Sequence, residues 1–179
     1  IEEHAELFTG IRYAIGEFGG FSIDIAGERF YPIMVAEKQS CVLEARVRGP
    51  GGHGAMPVRG GAMARAGRLL DRLDRHRLPV HVTPVVNRMF EAIGAATDGA
   101  KQLLFRLLLA RPLTDPLLRL LGDLRPLFFP LFHNTVSPTM IEGSEAINVV
   151  PSQVRLGLDG RLLPGHSPDD FIDELRPIV

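Results

Sequence analysis

Tryptophan is absent and cysteine occurs once, as Cys41. A lone cysteine closes no intramolecular disulfide, which rules out a disulfide-built scaffold and fits a reducing, cytoplasmic setting. Its strand-like neighbours make Cys41 a small buried residue rather than a reactive thiol. Charge of one sign is lacking too: 20 basic residues offset 21 acidic ones, for a net charge of −1. No strongly basic face is available for nucleic acid. No apolar stretch reaches the length of a membrane span, so membrane association is the minor reading. The start, IEEHAELFTG, has neither a basic leader nor an apolar core, and no initiator methionine. With the ending ELRPIV, it reads as an internal segment of a longer protein. Catalytic signatures are equally scarce. There is no HEXXH, CXXC or H-X-D spacing, no phosphate-cradling loop ending in Lys-Ser/Thr and no GXSXG elbow.

What remains is ordinary globular composition over 179 residues, 45% apolar and 23% charged, enough for one domain and part of another. Short strands are expected at Ile11–Ile15 and Tyr31–Ala36, with GEFGG at 16–20 as the turn between them. Alternation from Ser40 to Val47 predicts a half-buried strand, and a helix fits Gly60–His76 with Met63, Ala66, Leu70 and Leu73 as its apolar stripe. Residues 79–133 read as a helical insertion of short pieces broken by Pro112, Pro116, Pro126 and Pro130. Strands follow at 134–143 and 154–163, the second with Val154, Leu156 and Leu158 inward. Ser167 and Pro168 start a last helix, whose stripe is Phe171 and Leu175. The order is strand, helix, insertion, strand, strand, helix. It predicts an α+β fold, a ferredoxin-like two-layer sandwich with two helices on one face of an antiparallel sheet. Its fourth strand would begin near Pro177.

Four residues are candidates for chemistry. His53 lies in GGHGA, where flanking glycines permit unusual backbone turns and close approach of a ligand. Read locally, it is either a surface-loop histidine or a hydrogen-bond donor displayed on a loop. Asn148 in INVVPS and Arg161 in LDGRLLPG are either a turn asparagine and an exposed arginine, or a pair that grips a carboxylate. Glu17 in GEFGG is either a turn residue or a metal ligand. His76, His81, His133 and His166 are expected to be solvated. A complete metal site is not expected in this chain.

Taken in order, VAEK at 35–38, RVRGPGGHGAMP at 46–57, TVSPTMIEG at 135–143, INVVPS at 147–152 and LDGRLLPG at 158–165 resemble one family. It includes carboxypeptidase S, acetylornithine deacetylase, succinyl-diaminopimelate desuccinylase, aminoacylase and glutamate carboxypeptidase. The resemblance spans about residues 11–179, and the apolar insertion is similar to that of carboxypeptidase S-like members. It implies a two-domain enzyme that binds two zinc ions and cleaves amide bonds of peptides or N-acyl amino acids with a zinc-activated water. Residues 1–38 would be the end of a catalytic-domain segment and 39–179 the lid, through which the protein forms a homodimer. The resemblance gives His53 the role of polarising the scissile carbonyl, often in the partner subunit. Asn148 and Arg161 would hold the substrate's carboxylate end. Glu17 would be an acidic metal ligand, although an extra Phe18 separates it from the usual NEGG pattern. The family's remaining metal ligands and its general base have no counterpart here, so this chain alone is expected to be inactive. The alternative is a non-enzymatic module for dimerisation or ligand binding.

Overall fold

The computed structural model describes residues 2–13 and 19–179. They fall into two compact units, residues 1–35 and 36–179. In the first, 3₁₀ turns over Glu2–Phe8 precede a small hairpin of β1 (Ile23–Ile25) and β2 (Glu28–Phe30). Its two-residue connection, Ala26-Gly27, has φ of 57° and 89°. Such left-handed turns match the twist of a tight hairpin. Of the two strands expected in this region, Tyr31–Ala36 is not formed, and only residues 11–13 of Ile11–Ile15 are described. Ile11–Tyr13 and Tyr31–Ala36 lie outside any ladder. Ile11, Tyr13, Tyr31, Ile33 and Val35 are all exposed, so the alternation has no buried face to define a strand. Residues 14–18, with Glu17 and most of the GEFGG turn, lie outside the described residues.

The second unit is built on β3 (Gln39–Arg48), followed by the short β4 (Gly52–His53) and α1 (Ala62–Arg75). Four insertion helices come next: α2 (Pro84–Ala95), α3 (Gly99–Leu107), α4 (Arg111–Leu120) and α5 (Arg125–Phe132). Then follow β5 (Thr135–Glu142), β6 (Val149–Val150), β7 (Gln153–Leu162) and α6 (Pro168–Leu175). β7 is central in an antiparallel sheet of order β3-β7-β5. Helices α1 and α6 supply Ala62, Ala66, Leu69, Leu73, Phe171 and Leu175 to one core with Val154, Leu156, Leu158 and Leu162 of β7. This is the ferredoxin-like α+β sandwich the sequence predicts, with three strands of its sheet among the described residues.

Local chemistry explains most boundaries. Ser167 accepts from the Asp170 amide while the Asp170 carboxylate accepts from the Ser167 amide, a reciprocal cap that starts α6 after Pro168 fixes the first turn. The α1 stripe is displaced from the expected one: Ala62 and Leu69 are buried, whereas Met63 is 52% exposed. Small Ala62 lets the helix start pack closely on the sheet, and methionine at the next position points away. Gly160 in β7 marks a similar close approach. A Cβ there would stand 2.5 Å from both the Cys41 carbonyl oxygen and the Phe171 ring.

The insertion has its own aromatic core. Phe90 is fully buried, with ring centroids of Phe132, Phe128 and Phe105 at 4.9, 5.2 and 6.1 Å. Its prolines break helices less often than expected. Pro112 and Pro126 begin α4 and α5, while Pro116 and Pro130 sit inside them. Each interior proline is the sixth residue of its helix, where it lacks the amide that would reach back one turn to the carbonyl four residues earlier. The ends of the insertion are clamped together: Val80 bridges His133, and the His81 amide donates to the Phe132 carbonyl at 2.7 Å. Among the described residues no helix is long and apolar enough to cross a membrane.

Candidate functional site

The glycine-rich segment after β3 and the segment before β7 form one structure. Gly52 and His53 of β4 pair with Val150 and Val149 of β6. On either side, the Gly49 amide donates to the Ser152 carbonyl at 2.9 Å and the Gly54 amide to the Asn148 carbonyl at 2.7 Å. The glycines make this approach possible through size rather than unusual backbone angles. A Cβ on Gly51 would lie 2.9 Å from the Val150 oxygen and one on Gly54 3.2 Å from the Asn148 oxygen, and neither residue has positive φ. RGPGGHGAMP and INVVPS are thus the two halves of one loop platform. A shallow depression beside it is lined by Gly51, Gly52, Ser144 and Val149–Gln153.

His53 and Asn148 are both exposed on this platform. The Ala55 amide donates to His53 Nδ1 at 3.1 Å. Nδ1 must therefore carry a lone pair, and in the neutral ring the proton resides on Nε2. Nε2–H is left as an outward donor, the form needed to polarise a carbonyl oxygen.

Arg161 stands elsewhere. It lies near the far end of β7, opposite Ser40 on β3 and Thr135 on β5. The strand from Gln153 to Arg161 spans roughly 25 Å at about 3.3 Å per residue. Within one chain, then, His53 and Asn148 are neighbours and Arg161 is remote from both. Its guanidinium grips Asp159 from the side, Nε to Oδ1 at 2.9 Å and Nη2 to Oδ2 at 3.0 Å. Hydrogen bonding and the charge of Asp159 push the Arg161 pKa further up, so it stays a fixed cation.

A second cation shares that neighbourhood. Lys38 Nζ donates to the His133 carbonyl at 2.8 Å, to the Pro130 carbonyl at 3.2 Å and to Thr135 Oγ1 at 3.2 Å. Burial, and secondarily repulsion from Arg161, push its pKa down from 10.5 to about 8. The sequence displays VAEK but gives no signal for these three acceptors, two from the remote end of the insertion and one from the start of β5.

The expectation that the remaining histidines are solvated fails in three places. His133 is fully buried, and burial pushes its pKa below the ordinary 6.5. Its Nδ1 donates to the Phe129 carbonyl at 2.9 Å, and its ring stacks on Phe129 with centroids 4.1 Å apart. His81 and His166 are half-buried and meet edge to face, with centroids 4.3 Å apart. Neighbouring turn residues mark a loop in sequence but do not reveal which loop is covered by another element.

Among the described residues, one group of three histidine or carboxylate side chains could hold a metal ion, namely His81, His166 and Glu174. It includes none of His53, Asn148 and Arg161. The described residues around those three do not make a two-zinc centre.

Residues 35–179 match the peptidase dimerisation domain family. The chain is 24% identical over 162 residues to a probable carboxypeptidase S-like protein 2 of Dictyostelium discoideum, covering 90% of this chain and 30% of the relative. It is 31% identical over 157 residues to an acetylornithine deacetylase of Myxococcus xanthus, covering 86% of this chain and 30% of that enzyme. The matched region is thus about a third of each relative's length. With the sandwich it builds and the match over residues 35–179, the chain belongs to the peptidase dimerisation domain family.

Proposed function

We propose that this chain is the lid of a zinc-dependent amidohydrolase that cleaves amide bonds of peptides or N-acyl amino acids in the cytoplasm. Residues 39–179 form the lid and its dimer interface, and residues 1–38 end a catalytic-domain segment. The names of the two relatives, one a carboxypeptidase and one a deacetylase, support amide hydrolysis as the shared chemistry. The observation that carries the role of the lid is the hydrogen bond from the Ala55 amide to His53 Nδ1, which leaves Nε2 of this exposed ring to carry the proton. That donor polarises the scissile carbonyl and stabilises the oxyanion. Asn148, set beside it by the β4–β6 pairing, offers an amide to the same substrate. Arg161 binds the substrate's carboxylate as a permanently charged, planar fork. Glu17 and other residues of the whole protein would hold zinc, which would supply the activated water.

The test is made on the full-length protein. His53→Ala is expected to lower kcat by about a hundredfold or more, the scale of losing one oxyanion donor, with bound zinc unchanged. Arg161→Ala is expected chiefly to raise KM for substrates bearing a free carboxylate. Undiminished turnover in His53→Ala would remove the catalytic role and leave a dimerisation module.

A further inference from the structure

We propose that His81, His166 and Glu174 form a second metal site, for a divalent transition ion such as zinc, at the joint between the insertion and the sandwich. His81 lies just inside the clamped base of the insertion, His166 lies between β7 and α6, and Glu174 is in the last turn of α6. Their ligand atoms all lie within 4.8 Å of one another. A tetrahedral ion with nitrogen ligands at about 2.0–2.1 Å requires donors roughly 3.4 Å apart. Side-chain shifts of about an ångström would meet that requirement. Two imidazoles and one carboxylate select zinc, cobalt or nickel over magnesium and calcium, which favour all-oxygen shells.

The surroundings hold these groups in a ligating state. Asn134 is 1% exposed, and its Oδ1 accepts the Leu163 amide at 2.8 Å. That bond fixes which end of the amide is NH2. The NH2 donates to Glu174 Oε2 at 3.0 Å and to His166 Nδ1 at 3.1 Å. One carboxylate oxygen is thereby oriented by a buried donor, leaving Oε1 directed at His81. His166 Nδ1 accepts that bond and is therefore unprotonated, so an ion would take this lone pair over from the Asn134 amide. His81 Nε2 stands 2.6 Å from Glu174 Oε1, with one proton between them. A metal ion would replace that proton and keep the carboxylate's outer bond to Asn134, as outer-shell partners do in metal sites. Three protein ligands leave one position for water. The ion would tie the insertion to α6, a stabilising role separate from the chemistry assigned to His53.

The test uses the 179-residue chain, stripped with a chelator and titrated with zinc by calorimetry and with cobalt(II) by visible absorption. One zinc per chain is expected, with the intense cobalt bands of a four-coordinate site and a raised melting temperature. His166→Ala and Glu174→Gln should each weaken zinc binding at least tenfold. The Glu174→Gln side chain retains an oxygen for the Asn134 amide, so this variant tests ligation without emptying the joint, and circular dichroism checks its fold. The surface variant His76→Ala should bind as the unaltered chain does. Absence of stoichiometric zinc binding, or unchanged affinity in folded Glu174→Gln, would overturn the proposal. Loss of the ion in His76→Ala would place it elsewhere and overturn it equally.

Discussion

Gly160 shows how much one missing side chain can decide. It lies in the middle of LDGRLLPG, between the buried Leu158 and Leu162. The Phe171 ring of α6 occupies the space a methyl group would need, 2.5 Å from an added Cβ, and the Cys41 carbonyl of β3 is equally close. Neither neighbour is a flexible chain end: one is a fully buried ring and the other is backbone in the paired register Cys41↔Gly160. Gly160→Ala should therefore overpack the core, at a cost of about 1–3 kcal/mol or somewhat more. Urea unfolding of this variant should show a lowered midpoint; a midpoint unchanged from the parent would mean that α6 retreats without penalty. The same residue marks what is legible in sequence. The motif around Gly160 is visible at once, but its partner, Phe171, is identified only as half of an apolar helical stripe. His53 is similar. Its flanking glycines announce a special loop, whereas the free Nε2–H depends on the Ala55 amide reaching back to Nδ1, a geometric fact with no sequence signature.

At the scale of elements, periodicity served well wherever an element has a buried face and a solvated one. β3, β7, α1 and α6 all satisfy that condition, and their positions are readable to within a residue or two. It failed at residues 11–13 and 31–36, where the apolar residues Ile11, Tyr13, Tyr31, Ile33 and Val35 remain exposed, and it said little about how the insertion returns to the sandwich. Lys38 supplies part of that return. Its ammonium group binds two carbonyls at the end of α5 and the first hydroxyl of β5. Burial nevertheless disfavours its charge and holds its pKa at about 8. Between about pH 8 and 10.5 the unfolded chain binds this proton and the folded one does not. Stability attributable to Lys38 must therefore increase with pH across that window. Lys38→Met removes both the titration and the hydrogen bonds. Relative to this variant, the parent should gain stability as pH rises from about 8 to 10.5, measured by denaturant unfolding in a matched buffer series. A difference that shrinks with pH would show that the folded state favours the charged form instead.

The whole molecule poses a problem of distance. His53 and Asn148 are locked together by the β4–β6 ladder, yet Arg161 lies roughly 25 Å along β7 from the start of that strand. No side-chain rotation closes such a gap, and the sheet between them is rigidly paired. A site that uses all three must take His53 and Asn148 from one lid and Arg161 from the other, which a two-fold dimer permits. The sequence spacing of 148 and 161 conceals this division, because the intervening strand is straight and carries the two residues apart. Mixed dimers of the full-length protein test it. Co-expressed His53→Ala and Arg161→Ala subunits should recover about a quarter of parental kcat/KM, since random pairing makes half the dimers mixed and each mixed dimer has one intact site. Asn148→Ala should likewise complement Arg161→Ala. It should not complement His53→Ala, because every site in that mixed dimer carries one defect. Rescue between Asn148→Ala and His53→Ala would show that different subunits contribute the two side chains to a site, contrary to the ladder that pairs them. Failure of both Arg161→Ala mixtures, with dimers confirmed by tagged co-purification, would show that the three residues do not form a site shared between subunits.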